Sequence, residues 1–164
     1  NWITLPVKIS DDKKIQNVKI YQPQRNFEKI FKNLSQNYSK SLNFKKIIPF
    51  LEEIFFYKEW EYLSEFNIFA TKKICDLLNI ATNFYKSSDF ENINDKNLNI
   101  IKICKKFNIN NYLSGKLAQN YIDTKLFEKN EIRVKWFELK NENKPTFENL
   151  SIIHYLFNTK NFKI

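Results

Sequence analysis

The sequence predicts a helix-rich α/β fold with a mostly parallel, Rossmann-like sheet and an antiparallel hairpin near its beginning. Three features support this prediction. Two short alternating segments open the chain, apolar residues at helical spacing fill its middle, and strand-like and helix-like segments alternate in its second half. The alternating order favours parallel strands covered by helices. Since the chain has 164 residues, of which 43% are hydrophobic, we expect a single α/β domain over residues 1–164.

The first half is predicted to contain a hairpin followed by three helices. Strands are predicted over 2–9 and 15–22, because apolar and polar residues alternate there and a polar link joins the two segments. In the helices, apolar residues recur at intervals of three and four. These helices are predicted over 26–40, 44–57 and 60–79.

The second half is predicted to alternate strands with helices. In chain order the segments are a β-like run over 81–90, a helix over 95–109, a short strand at 111–115, a helix near 116–129, a strand over 131–139 and a closing helix over 146–158. The β-like run ends in a polar turn. The short strand also ends in a turn, which contains the only glycine of the chain.

The beginning of the chain reads as a strand already under way, with no initiator methionine, signal peptide or transit sequence. We therefore expect that the natural N-terminal strands are missing from it. No apolar run approaches the roughly 18 residues that cross a bilayer. We expect no transmembrane segment and a location in the cytoplasm, where Cys75 and Cys104 would be small, buried, reduced side chains.

The charge and the motifs limit the classes of partner. A net charge of +9 predicts an anionic partner, but it does not distinguish a phosphate-bearing small molecule from nucleic acid, and lysines on solvated helix faces explain part of it. Because His154 is the only histidine and no Walker or GxGxxG motif is present, we expect no metal and no cofactor. The tryptophans are expected in the core or in pocket walls: Trp2, Trp60 and Trp136.

The single glycine, Gly115, follows Ser114 at a predicted strand-to-helix turn. Ligands of open α/β sheets bind beyond the carboxyl ends of the strands. A residue without a Cβ lets backbone N–H groups approach an anion closely. We interpret Gly115 as serving either a ligand or a positive φ angle. A geometric role, with Ser114 as a helix N-cap, is the alternative.

Further side chains are assigned to this predicted phosphate site. Hydroxyl groups in the other turn, at Ser87 and Ser88, are candidate donors to the same anion. Positive charge is expected from Lys8, Lys29 and Lys116. Together with Ser114 and Gly115, these residues form the predicted binding site for a nucleotide-sugar or another phosphate-bearing small molecule.

The chain resembles the WbqC-like protein family over nearly all of its 164 residues, including the stretches 103–139 and 147–158. The resemblance rests on the segment YLSG at 112–115, the segment YID at 121–123 and the closing LSIIHYLFN, and upstream on WITLPVK. It implies substrate-binding roles for Tyr112, Tyr121 and Asp123, although Asp123 equally fits a helix N-cap.

The resemblance implies an enzyme of bacterial surface-polysaccharide biosynthesis, in particular of O-antigen and lipopolysaccharide. Such an enzyme would transfer an acyl or aminoacyl group, for example glycyl, onto a nucleotide-linked amino sugar. The catalytic residue is unknown, and we expect the general base in the missing N-terminal segment. The alternative is a non-enzymatic basic module that binds RNA or assembles a complex. A transferase that uses an aminoacyl-tRNA as donor would need both a basic surface for the RNA and a pocket for the sugar.

Overall fold

The structure, a computed structural model, describes residues 2–12, 14–91, 93–137 and 150–160. Its regular elements, in chain order, are β1 (Val7–Lys8), β2 (Lys19–Ile20), α1 (Pro23–Tyr38), α2 (Phe44–Phe56), α3 (Leu63–Leu77), α4 (Lys96–Lys106), β3 (Asn111–Gly115), α5 (Thr124–Lys129), β4 (Arg133–Phe137) and α6 (Ile152–Asn158). Short 3-10 turns lie at Ile15–Asn17, Ser87–Asp89 and Lys116–Asn120. The prediction of a helix-rich α/β fold is confirmed.

The chain divides into two compact units. The first unit comprises Asn1–Thr82 and Asn149–Ile164, and the second comprises Asn83–Glu148. Each has its own cluster of buried hydrophobic residues. The single domain expected over 1–164 stays a prediction.

The first unit opens with the predicted hairpin. Strands β1 and β2 pair antiparallel, with Val7 opposite Ile20. The paired strands are shorter than predicted because Pro6 has no amide hydrogen for the ladder and because Ile15–Asn17 forms a 3-10 turn. An antiparallel hairpin near the beginning of the chain is therefore confirmed.

The helices of the first unit enclose an aromatic core. Helix α1 begins earlier than predicted, at Pro23, because the fixed φ angle of proline suits the first helical position. The ring centroid of Phe27 lies 4.7 Å from that of Phe66 and 5.4 Å from that of Phe55. The buried residues of this core are Ile20, Phe27, Leu34, Ile47, Leu51, Phe55, Trp60, Leu156 and Phe157.

Asn43 fastens α6 to the start of α2. Its backbone N–H donates to the carbonyl of Phe157 at 3.0 Å. Its side-chain amide donates to the carbonyls of Leu156 and Thr159, both at 2.9 Å. These bonds satisfy carbonyl groups at the C-terminal end of α6 that have no partner within the helix.

The second unit contains a parallel pair of strands. Strands β3 and β4 run in register from Asn111 opposite Arg133 to Gly115 opposite Phe137. Parallel strands need a long crossover, which residues 116–132 supply through a 3-10 turn and α5. The buried residues of this unit are Ile101, Cys104, Ala118, Ile122, Phe127 and Ile132.

Part of the predicted order of the second unit is wrong. The run over 81–86 forms no strand, because every residue from 81 to 89 is exposed and a strand needs at least a half-buried face. Among the described residues the parallel sheet therefore has two strands. The predicted helix near 116–129 is interrupted, since Asp123 caps a new helix. Residues 138–149, which include the end of a predicted strand and the start of the closing helix, lie outside the described residues.

Candidate functional site

The end of β3 contains Gly115 in an ordinary extended conformation. Its φ is −69° and its ψ is 152°, values that any residue adopts, so the expected positive φ angle is wrong. A Cβ placed on Gly115 would meet nothing within 4 Å. Neither backbone conformation nor crowding within the described structure requires a glycine here.

The alternative role for the turn, an N-cap at Ser114, is also wrong. Gly115 itself occupies the cap position of the 3-10 turn that follows, and no side-chain hydrogen bond caps that turn. Ser114 lies opposite Trp136 on the half-buried face of the sheet. Lys116, directly after the glycine, is exposed.

The outer face of the sheet is exposed along both strands. It consists of the alternate positions Asn111, Leu113, Gly115, Arg133, Lys135 and Phe137. The other face packs on the core through Tyr112, Val134 and Trp136. The alternation of Val134 and Trp136 with Arg133, Lys135 and Phe137 predicts the two faces of β4, and the structure confirms them. In β3, the structure places Gly115 on the exposed face.

The residues singled out in the YID segment have mainly structural contacts. The carboxylate of Asp123 accepts a hydrogen bond from the backbone N–H of Leu126 at 3.1 Å and caps α5. Asn97 donates to the carbonyl of Tyr121 at 3.2 Å and accepts from the backbone N–H of Asp123 at 3.1 Å. The Tyr121 side chain is exposed. These contacts agree with the N-cap alternative for Asp123.

Tyr112 belongs to the core packing of the second unit. Its ring stacks on Phe127, with 5.6 Å between the ring centroids, and the side chain is half-buried. This contact holds β3 against α5. A role of Tyr112 in binding substrate stays a prediction.

The other predicted phosphate ligands lie elsewhere along the chain. Ser87 and Ser88 form an exposed 3-10 turn in the second unit. Lys8 and Lys29 belong to the first unit, where the amine of Lys8 lies 5.2 Å from the ring centroid of Tyr21. Ser114, Gly115 and Lys116 are adjacent at the end of β3, and Ser87 and Ser88 are adjacent in their own turn. A site shared by all of these residues stays a prediction.

A pocket of about 300 Å³ lies in the first unit, at the start of α1. Sequence reasoning did not predict it. Its lining residues are Gln22, Pro23, Gln24, Arg25, Phe27, Phe55, Lys58, Glu59 and Trp60. Pro23, at the observed beginning of α1, forms part of one wall, but only the tertiary fold brings Trp60 to it. Trp60 is buried and lines a pocket as expected, whereas Trp2 is fully exposed and not a core residue.

The remaining reactive side chains are one histidine and two cysteines, and packing contacts determine their positions. The Nδ1 atom of His154 lies 3.2 Å from the hydroxyl of Tyr38, and burial raises the pKa of that hydroxyl. Burial also raises the pKa of the Cys104 thiol. Cys75 is only partly buried. In the described part of the chain, no three His, Cys, Asp or Glu side chains are grouped as metal ligands.

Comparison with known proteins identifies the family. The model of the WbqC-like protein family matches residues 1–164. The chain belongs to the WbqC-like protein family. This WbqC-like chain is similar to the uncharacterized protein Rv1507c of Mycobacterium tuberculosis, with 30% identity over 140 residues. The match covers 84% of this chain and 60% of the relative.

The WbqC-like chain thus spans less than two thirds of the length of that relative. No solved structure matches it. Over the described ranges, none of its helices combines the length and the apolar character that crossing a bilayer requires.

Proposed function

We propose that this WbqC-like chain is part of a cytoplasmic transferase of bacterial surface-polysaccharide biosynthesis. The enzyme moves an acyl or aminoacyl group onto a nucleotide-linked amino sugar. Family membership supports a role in polysaccharide biosynthesis. The parallel pair of β3 and β4, joined through α5, is the kind of element from which a Rossmann-like sheet is built, and it supports that part of the proposal. Because the chain spans 60% of its relative, the activity and substrates of the whole protein are part of this proposal.

The observation that carries the proposal is the accessible backbone at Gly115. This residue is exposed at the carboxyl end of a parallel strand, has an unstrained φ angle and has open space around its Cβ position. A glycine at such a position lets a ligand from solvent approach the backbone closely. The oxygens of a diphosphate need this close approach in order to accept hydrogen bonds from backbone N–H groups. The exposed Lys116 beside it adds positive charge.

The proposed reaction is an acyl transfer to an amine. The sugar nitrogen attacks the acyl carbonyl, a general base takes the amine proton, and the carrier of the acyl group leaves. The turn at Ser114–Lys116 holds the nucleotide phosphates, and Ser87 and Ser88 add hydroxyl donors. The residue that acts as base is not assigned.

Thermal unfolding in the presence of UDP-glucosamine tests the binding step. The nucleotide-sugar should raise the Tm of the wild-type protein, and Gly115→Val should remove the increase, because the new side chain blocks the approach to the backbone. Asn111→Val is the matched control, since it adds the same side chain to the same face of β3, away from the turn. An equal increase in Tm for Gly115→Val would exclude the turn from the site. A gain in mass of the amino-sugar nucleotide, measured after incubation with acyl and aminoacyl donors, tests the transfer itself.

The outer face of the sheet favours a second candidate function, the binding of RNA. This face carries Arg133 and Lys135 together with the exposed ring of Phe137. Single-stranded RNA binds to sheet faces that combine cations with aromatic rings. RNA retention that falls steeply with salt, and that Phe137→Ala and Arg133→Gln both weaken, would support this function over the transferase. Retention that is unchanged in both variants would contradict it.

A further inference from the structure

The chain does not use its glycine where the backbone would favour one. Among the described residues, a positive φ angle occurs at Gln22, Asn79, Asn108 and Glu131. Left-handed positions of this kind are the ones that glycine occupies most easily. The single glycine, Gly115, instead has an ordinary φ of −69°. The feature that sets Gly115 apart is therefore the side chain that it lacks, and the space which that absence leaves on the sheet.

This space lies beside an exposed aromatic ring. Gly115 is paired with Phe137 in the register of the sheet, and both residues are on the outer face. Neighbouring strands are roughly 4.8 Å apart, and side chains stand nearly perpendicular to a sheet. The Phe137 side chain, which is 55% exposed, therefore stands next to bare backbone. We call the space above Gly115 and beside Phe137 the Gly115 slot.

The Gly115 slot is open and has the width of one ring. A Cβ built on Gly115 would meet no atom of the described residues within 4 Å, its two chain neighbours aside, so Phe137 does not fold over the glycine. Carbon atoms in contact are separated by roughly 3.5–4.0 Å. A ring that packs against Phe137 would therefore lie directly above the backbone of Gly115, where any other residue would place its side chain.

The chemistry of the slot favours a ring that has C–H groups on one face. The face of an aromatic ring is negative, and it attracts the weakly positive hydrogens of such groups. A pyranose and a nucleobase can both pack against an exposed phenylalanine. The position of the slot relative to the phosphate-binding groups distinguishes these two ligands.

The outer face provides the positive charge that a diphosphate needs. The exposed positions of β3 and β4 include two cations, Arg133 and Lys135, and no carboxylate. Lys135 is opposite Leu113, one pair of residues before the slot. Within the described residues, neither cation forms an ion pair. The exposed Lys116 directly follows the glycine. A diphosphate at this end of β3 therefore meets complementary charge.

We propose that the Gly115 slot binds the pyranose ring of the amino sugar, whose C–H face packs against Phe137. This inference rests on the proposed transferase function, in which the turn at Ser114–Lys116 holds the diphosphate. The sugar is bonded directly to that diphosphate, whereas the ribose separates the base from it. The ring next to the turn is therefore the sugar, and Phe137 is a specificity-determining residue for the acceptor.

Calorimetric titration of the complete chain with UDP and with UDP-glucosamine tests the inference. Phe137→Leu removes the aromatic ring and keeps an apolar side chain. It should weaken the binding of UDP-glucosamine by about three- to tenfold, the usual contribution of a packed ring. The affinity for UDP, which has no sugar beyond the diphosphate, should stay unchanged, and this also shows that the variant is folded. Phe137→Tyr retains the ring and should bind UDP-glucosamine as the wild type does.

The same titrations separate failure of this inference from failure of the proposed function. If the wild type binds neither ligand, both are contradicted. If it binds them, an equal loss of affinity for UDP and UDP-glucosamine in Phe137→Leu would place the base against the ring. No loss for either ligand would remove Phe137 from the site. Each of these last two results would overturn the sugar slot and leave the binding of nucleotide at the turn intact.

Discussion

The two units of the chain have cores of different kinds. In the first, three long helices and α6 surround a core whose buried residues include Phe27, Phe55, Trp60 and Phe157. In the described part of the second, a two-stranded sheet and two helices surround a smaller core, in which Phe127 is the buried aromatic residue. Since stabilisation by burial is roughly proportional to the apolar area removed from water, the second unit should be the less stable.

The first unit therefore has the larger core, and the second has the more accessible sheet surface. The first unit encloses its aromatic side chains and leaves a pocket with an apolar interior at the start of α1. The second unit exposes one full face of its sheet, including Leu113, Gly115 and Phe137. Because its core is small, the second unit can expose backbone to a ligand, but its stability depends strongly on each of its buried side chains.

The largest effect is expected from Phe127→Ala. Phe127 is fully buried and central to the second core, so its truncation should lower the free energy of unfolding by about 3–5 kcal/mol. Native-state hydrogen exchange should show loss of protection in α4, β3 and β4, while α1 and α2 stay protected. Phe137→Ala, on the exposed face, is the control and should have little effect. Equal loss of protection in α1 would show that the two units unfold together.

A smaller difference should appear between the two thiols. Cys104 is buried in the second core and its pKa is raised by that burial, whereas Cys75 is partly exposed. Iodoacetamide should modify Cys104 at least about 100-fold more slowly, which corresponds to an opening free energy of about 2.7 kcal/mol. The raised pKa also means that a rise in pH favours the unfolded state, in which the thiolate is solvated. Similar rates for both cysteines would mean that the second core is open.

Asn43→Ala tests how the first unit holds α6. The variant loses two hydrogen bonds to carbonyl groups at the end of that helix, so we expect a destabilisation of about 1–3 kcal/mol. Chemical denaturation measures the loss, and hydrogen exchange should place it in α6. Asn37→Ala, which removes an exposed side chain from α1, is the matched control. An effect no larger than that of the control would mean that the bonds of Asn43 do not stabilise α6.

Asp123→Ala should cost about 1 kcal/mol, the usual value of an N-cap. Asp123→Asn keeps an oxygen acceptor and should recover most of the loss in thermal stability. If Asp123→Asn is as stable as the wild type but no longer responds to UDP-glucosamine, the carboxylate has a role in binding in addition to its role as a cap. Full stability of Asp123→Ala would show that the cap contributes nothing.

Local patterns in the sequence predicted the elements that local forces determine. The spacing of Phe27 and Leu34 predicts α1, and the alternation around Val134 predicts both faces of β4. Asp123 was already a candidate N-cap, and the structure shows that cap. In each case, a periodic apolar face or a single side chain next to a helix start is enough to predict the element.

What the sequence did not predict depends on contacts between distant residues. Phe84 and Tyr85 give the run over 81–86 a strand-like composition, yet its residues are exposed and, among the described residues, it pairs with no strand. The pocket forms where Trp60 meets the start of α1, which no local pattern specifies. Of the two roles considered for Gly115, a ligand or a positive φ angle, the second relied on the usual role of glycine in turns, and it was wrong.

The smallest effect on stability should come from Gly115→Ala, a variant that tests directly whether this glycine serves a ligand. Its φ angle and the open space around it predict a change in unfolding free energy within about 0.5 kcal/mol in the absence of ligand. With UDP-glucosamine present, the wild type should gain stability and the variant should gain less. A loss of more than about 1 kcal/mol without ligand, or an equal gain with it, would contradict the claim.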